Sequence, residues 1–122
     1  MKILFVDNEE DMISLIDIVL ETEDDIDLST ANTGQAGIDL IDFEEFDAYL
    51  FDLMMPKPDG RDLLAHVRSR PESSTKPVIM CTAKSDESFA EKLLQAGATR
   101  VISKPFNALT IADVIRDVVN GG

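Results

Sequence analysis

Hydrophobic positions along the chain alternate between two periods. The runs Ile3 to Val6, Ala48 to Phe51 and Val78 to Cys81 are continuously apolar, as expected of strands covered on both faces. Asp25-Ile26-Asp27-Leu28-Ser29 instead alternates polar with apolar, which predicts a strand at the sheet edge. Between the strands, helical spacing recurs: Met12, Leu15, Ile16, Val19 and Leu20; Ile38 and Ile41; Leu63 and Val67; Phe89 and Leu93; Ile111, Ile115 and Val118. These sets read as core faces. Asp59-Gly60 predicts a turn into a helix, Ser85 a helix N-cap, and Gly97 a helix stop. The repeated strand-helix order gives an α/β fold, a (βα)5 doubly wound parallel sheet of the flavodoxin-like type.

Four of the strand-like runs end in a reactive polar residue. Asp7 follows Ile3 to Val6, Asp52 follows Tyr49 to Phe51, Thr82 follows Val78 to Cys81, and Lys104 follows Val101 to Ser103. Strands of a parallel sheet point one way, so these side chains collect on one rim, where open α/β folds bind ligands. The second strand ends in Ser29-Thr30-Ala31 and belongs away from that rim's chemistry. An order of 2-1-3-4-5 satisfies both conditions and sets Asp7 against Asp52 at the topological switch point. Two acids, a hydroxyl and an ammonium in one place point to Mg²⁺-assisted phosphoryl chemistry.

The chain has 122 residues, enough for one core and too few for two domains, and its formal net charge is −13. That charge opposes binding to nucleic acid or an anionic membrane. The single cysteine, Cys81, sits in an apolar run and reads as a buried, inert thiol of a cytoplasmic protein. No apolar stretch reaches the roughly 18 residues that span a bilayer, and Met1-Lys2-Ile3 leads straight into a strand-like run rather than reading as a signal sequence. His66 has no second imidazole to pair with and reads as a surface residue, so zinc or histidine catalysis finds no support.

Taken together, the motifs resemble the receiver domain of bacterial two-component response regulators over essentially the whole chain. Val6-Asp7-Asn8-Glu9 resembles that family's acidic cluster and Asp52 to Gly60 its phosphoacceptor segment. Thr82-Ala83 resembles its hydroxyl pair and Lys104-Pro105-Phe106 its lysine loop. The resemblance implies that Asp52 takes a phosphoryl group from a histidine kinase or histidine phosphotransfer protein and switches protein interactions, possible outputs being a downstream effector protein or domain. It implies Mg²⁺ (or Mn²⁺) held by Asp7, Asn8, Asp52 and the Met54 carbonyl, which suits a hard cation that prefers oxygen donors. Lys104, the Thr82 hydroxyl and the backbone amides of Met54 and Ala83 would hold the phosphoryl oxygens. A cis peptide before Pro105 would fix where Lys104 points. Such a protein promotes only its own phosphorylation and dephosphorylation, and residues 1–122 would form a single receiver domain.

Three features depart from the family pattern or add to it. Asn8 replaces the second acid, and its amide oxygen can ligate a cation but brings no charge. A unit charge about 4 Å away is worth roughly 4 kcal/mol at an effective dielectric near 20. After desolvation and relieved carboxylate repulsion, the expected net loss is about 1 kcal/mol, about tenfold in Mg²⁺ affinity. Val101 stands where the family carries a switching Tyr or Phe, which predicts a core-edge residue and a relay carried by the backbone around Thr82 to Lys84. The first helix has Ile13 and Ile18 beyond what one buried face needs, which fits either a wide core stripe or a docking surface for a helical phosphodonor.

Three other functions compete with this one. A pseudo-receiver, a pure interaction module, would tolerate Asn8 but has no reason to retain Asp7, Asp52, Thr82 and Lys104 together. A flavin binder would need a loop after the first strand that welcomes phosphate, whereas Asn8-Glu9-Glu10-Asp11 is acidic. An aspartate-nucleophile phosphatase would want an acid two positions after Asp52, where Met54 stands.

Overall fold

A computed structural model describes residues 1–83 and 88–121. Five strands, β1 (Lys2–Val6), β2 (Asp27–Ala31), β3 (Ala48–Asp52), β4 (Val78–Ala83) and β5 (Arg100–Lys104), form one parallel sheet in the order 2-1-3-4-5. Helices α1 (Glu10–Glu21), α2 (Gly34–Phe43), α3 (Gly60–Ser69), α4 (Ala90–Gln95) and α5 (Ile111–Val119) connect and cover it, with a short 3-10 turn at Ala108–Thr110. No helix among the described residues is long and apolar enough to cross a membrane.

The apolar strands are continuous because each feeds two cores. On one face Leu4, Val6, Tyr49, Phe51, Val78 and Met80 pack with Ile41 of α2 and Leu63 and Val67 of α3. On the other, Ile3, Phe5, Leu50, Ile79 and Cys81 pack with Ile16 and Leu20 of α1 and Ile111 and Ile115 of α5. The period of two along each strand splits its residues between these layers.

Two expectations need correction. The edge strand runs from Asp27 rather than Asp25, because Asp25 and Ile26 belong to the preceding turn. The Ile26 N–H donates to Glu23 O at 3.1 Å, the Asp25 carboxylate accepts from Arg116, and pairing with β1 starts at Lys2 and Asp27. Leu15 is not in the core: it is 45 % exposed, as Ile18 is at 65 %, while Met12, Ile13 and Val19 are half-buried. The buried stripe centres on Ile16 and Leu20, one turn-width away from Leu15.

Local chemistry sets the helix ends that frame the rim. Asp59 caps α3, accepting from the Arg61 and Asp62 N–H groups, while the Asp62 carboxylate accepts the Asp59 N–H. Gly60 follows because its backbone lies against the end of β3: a Cβ there would stand 2.4 Å from the Asp52 carbonyl oxygen. Gly97 ends the α4 connection at φ +113, a conformation that favours glycine. The half-buried Arg68 guanidinium donates twice to the Gly97 carbonyl, at 2.7 and 2.9 Å, and once to Lys76 O at 2.8 Å, tying that turn to the end of α3. Ser85, expected as an N-cap, lies outside the described residues.

Candidate functional site

Asp52 is the last residue of β3, Lys104 the last of β5, Thr82 the penultimate residue of β4, and Asp7 the first residue beyond β1. The structure brings three of them into contact. Lys104 Nζ donates to Asp7 Oδ2 at 2.8 Å and lies 3.3 Å from Asp52 Oδ1 and 3.6 Å from Glu9 Oε1. Asp7 is fully buried, its N–H donating to Ala31 O at 3.2 Å and its Oδ1 accepting the Glu9 N–H at 2.8 Å. Thr82 follows Cys81, the register partner of Asp52, and its Oγ1 is buried without a hydrogen-bond partner among the described residues. An orphaned hydroxyl of this kind costs the fold and is best explained by a ligand that it meets.

Glu9 completes a cluster that sequence reasoning left incomplete. Carboxylate oxygens of Asp7, Glu9 and Asp52 all lie within 4.8 Å of one another, a donor set able to hold a divalent metal ion. Its signal lay in the acidic loop after β1, but whether position 9 turns toward Asp52 depends on the loop's path. Asn8 is exposed and lines a neighbouring cavity of about 170 Å³ with Asn32, Gln35, Met55 and Pro58. Met54, two residues beyond Asp52, is 60 % exposed. Val101 is half-buried against the core on the α3 side, filling its edge. His66 is a surface residue whose Nε2 lies 2.7 Å from the Asp42 carboxylate. The Lys104–Pro105 peptide is cis, as expected, and so is Lys57–Pro58, which nothing in the sequence had singled out.

The electrostatics follow from this crowding. Burial and then the charge of Asp7 push the Asp52 carboxyl up to about 6, against the opposing pull of Lys104. Burial disfavours the Lys104 ammonium, but the hydrogen bond to Asp7 and the charges of Asp52 and Asp7 outweigh it, so Lys104 titrates above its ordinary range. The buried Cys81 thiol is pushed up and stays protonated. Among the described residues three carboxylates thus share one ammonium, and the rim has room in its charge balance for a divalent cation.

The family model of the response regulator receiver domain matches residues 3–116. The chain belongs to this family. It is 36 % identical over 118 residues to the transcriptional regulatory protein CpxR of Escherichia coli K12, covering 97 % of this chain and 49 % of CpxR. It is 32 % identical over 118 residues to the response regulator ArlR of Staphylococcus epidermidis, covering 97 % of this chain and 52 % of ArlR. The receiver chain therefore spans about half the length of these curated relatives. Among solved structures, the Francisella response regulator 1452 receiver domain superposes with a TM-score of 0.86 at 26 % identity, covering 98 % of this chain and 96 % of that one. A receiver domain protein from Clostridium thermocellum gives 0.87 at 26 %, covering 98 % and 94 %. The receiver fold, the 2-1-3-4-5 sheet and a role in two-component signalling are thereby those of this chain.

Proposed function

We propose that Asp52 is the phosphoacceptor, that its donor is a phosphohistidine of a histidine kinase or phosphotransfer protein, and that residues 1–122 act as one receiver unit. The observation that carries this reading is the convergence of Asp7, Glu9 and Asp52 on Lys104, with the buried Thr82 hydroxyl, which has no partner among the described residues, at the end of the neighbouring strand. An Asp52 oxygen forms the new P–O bond as the donor's P–N bond breaks, and the imidazole keeps the electron pair and takes a proton from solvent. Lys104 and the Thr82 hydroxyl hold phosphoryl oxygens, with the amides of Met54 and Ala83 as further donors.

The donor set suits Mg²⁺, or Mn²⁺, held by Asp7, Asp52 and the Met54 carbonyl with Asn8 or Glu9 alongside. Bound there, the ion supplies positive charge that relieves the carboxylates and attracts the phosphoryl group. An effector, attached or separate, then reads the change in charge and shape on the rim.

Incubation with acetyl phosphate and Mg²⁺ is expected to add one phosphoryl group to the protein by intact mass, and Asp52→Asn or excess chelator should abolish it. An adduct that survives Asp52→Asn rejects the assignment, and an inert wild type supports the pseudo-receiver reading. Mg²⁺ titration tests the ligand set separately. Glu9→Gln should weaken binding about tenfold and Asn8→Asp should strengthen it about tenfold, each by one charge near the ion. Equal affinities in all three proteins place the ion elsewhere.

A further inference from the structure

The loop after β3 carries the Met54 carbonyl and amide, and its two ends are tied down. The Leu53 N–H donates to Cys81 O at 2.9 Å, and the Gly60 N–H donates to Leu53 O at 3.2 Å. Between them Met55 is buried, while Met54, Pro56 and Lys57 are exposed. Asn8, Gly34, Met55 and Pro58 all line the cavity of about 170 Å³, so the space beneath this stretch is incompletely filled. Where the loop does meet the start of α2, the contact is backbone against backbone.

Gly34, the first residue of α2, is buried against Pro58. A Cβ at position 34 would stand 1.7 Å from the Pro58 carbonyl oxygen and 2.8 Å from its carbon. Real Cβ atoms essentially never come within 3.0 Å of such an atom, so an alanine forces that carbonyl back by more than 1 Å. Helix formation gives no reason for glycine here, because alanine is the better helix former. The close approach is the reason. Nor can the loop absorb the shift locally. The rings of Pro56 and Pro58 fix φ, and Met55 and Lys57, each preceding a proline, are restricted in turn. Four consecutive residues are therefore stiff, and a displacement at Pro58 is carried back toward Met54.

Resting on the reading in which the Met54 carbonyl and amide serve the metal ion and the phosphoryl group, we propose that Gly34 is a positioning residue for the site. Its bare backbone is the seat that fixes where the stiff segment Met55 to Pro58 holds Met54. Mg²⁺ demands near-ideal octahedral geometry at about 2.0–2.1 Å, whereas Ca²⁺ takes ligands at about 2.3–2.6 Å in flexible arrangements. A misplaced carbonyl therefore penalises Mg²⁺ selectively, while a lost charge or a loosened fold penalises both ions.

Titration of the whole chain with Mg²⁺ alone and with Ca²⁺ alone reads the seat. Gly34→Ala should lose about tenfold in Mg²⁺ affinity and no more than about threefold in Ca²⁺ affinity. Thr33→Ala removes the cap that accepts the Ala36 N–H and leaves position 34 unchanged, so it loosens the seat without a clash and should lose about threefold in Mg²⁺ affinity. Pro58→Gly frees φ at position 58 and relaxes Lys57, so it should raise Mg²⁺ affinity about threefold in the Gly34→Ala protein and fail to raise it in the wild type. Leu20→Ala opens a void in the other core layer, in the last turn of α1, and should destabilise the fold while keeping both affinities within about twofold. In chelator, amide exchange from Leu53 to Gly60 should quicken in Gly34→Ala and not in Leu20→Ala.

Normal exchange and normal Mg²⁺ affinity in Gly34→Ala and Thr33→Ala overturn the seat itself. Faster exchange with normal Mg²⁺ affinity rejects Met54 as a ligand, and with it the positioning role. Equal losses for Mg²⁺ and Ca²⁺, or the same losses in Leu20→Ala, also overturn the proposal by reducing Gly34 to a packing residue. These titrations need no phosphodonor, so a wild type that shows the expected metal pattern but is not labelled by acetyl phosphate supports the seat and indicts only the phosphoacceptor reading.

Discussion

Lys104→Met should cost the metal-free protein about 3–5 kcal/mol, the range for removing one partner from a buried charge pair. The Lys104 side chain is 16 % exposed, and it faces Asp7, Asp52 and Glu9 together. Methionine keeps most of the apolar stem, so the loss reports charge rather than packing. Asp7 retains the Glu9 N–H, but Asp52 and Asp7 are left repelling each other out of water. The penalty should shrink in acid as the raised Asp52 carboxyl takes up its proton, and added Mg²⁺ should recover part of it. Adding Asp52→Asn to Lys104→Met should return more than half of the loss, a coupling that a double-mutant cycle isolates. Urea denaturation in chelator at neutral pH measures all four proteins. A loss below about 1 kcal/mol would mean that water already screens the cluster.

What the sequence made legible follows from which constraints are local. Sheet order was readable because strand-end residues of one parallel sheet share a rim, so Asp7, Asp52, Thr82 and Lys104 could be placed together with no knowledge of the loops between them. The α3 start was readable because Asp59, Gly60 and Asp62 carry their capping chemistry within four residues. Glu9 was harder, since joining the cluster requires the loop after β1 to bend back toward Asp52. The facing of α1 was ambiguous for a related reason. Seven apolar residues in that helix fit more than one stripe, and only packing against β1 and α5 decides that Ile16 and Leu20 go in while Leu15 and Ile18 stay out. Arg68 reaching the Gly97 carbonyl joins positions 29 apart, a contact that no local pattern encodes.

Asp52→Asn should have the opposite sign to Lys104→Met: without metal at neutral pH it is expected to stabilise the fold while abolishing phosphorylation. The folded Asp52 carboxyl titrates at about 6 against an ordinary value of 3.8, chiefly because of burial and then Asp7. A carboxyl whose folded pKa is raised binds its proton more tightly in the native state, so stability falls as pH rises from the unfolded value to the folded one. Below about pH 4 both states are protonated and Asp52 adds no pH dependence; above about pH 6 it carries its full cost. At about 1.4 kcal/mol per pH unit that cost is about 3 kcal/mol. The difference in unfolding free energy between Asp52→Asn and wild type should therefore grow by about 3 kcal/mol across that window, every other titrating group being shared. Denaturation in chelator from pH 4 to 7.5 measures it, and a difference independent of pH would mean that Asp52 is not strained by its surroundings. Saturating Mg²⁺ should then reverse the order of the two proteins at neutral pH, because an ion that binds the wild-type carboxylates more tightly than the amide variant lends its binding energy to the wild-type fold. The instability built into the metal-free rim is thus the same charge excess that makes it receptive to a cation and a phosphoryl group, and removing Asp52 removes both.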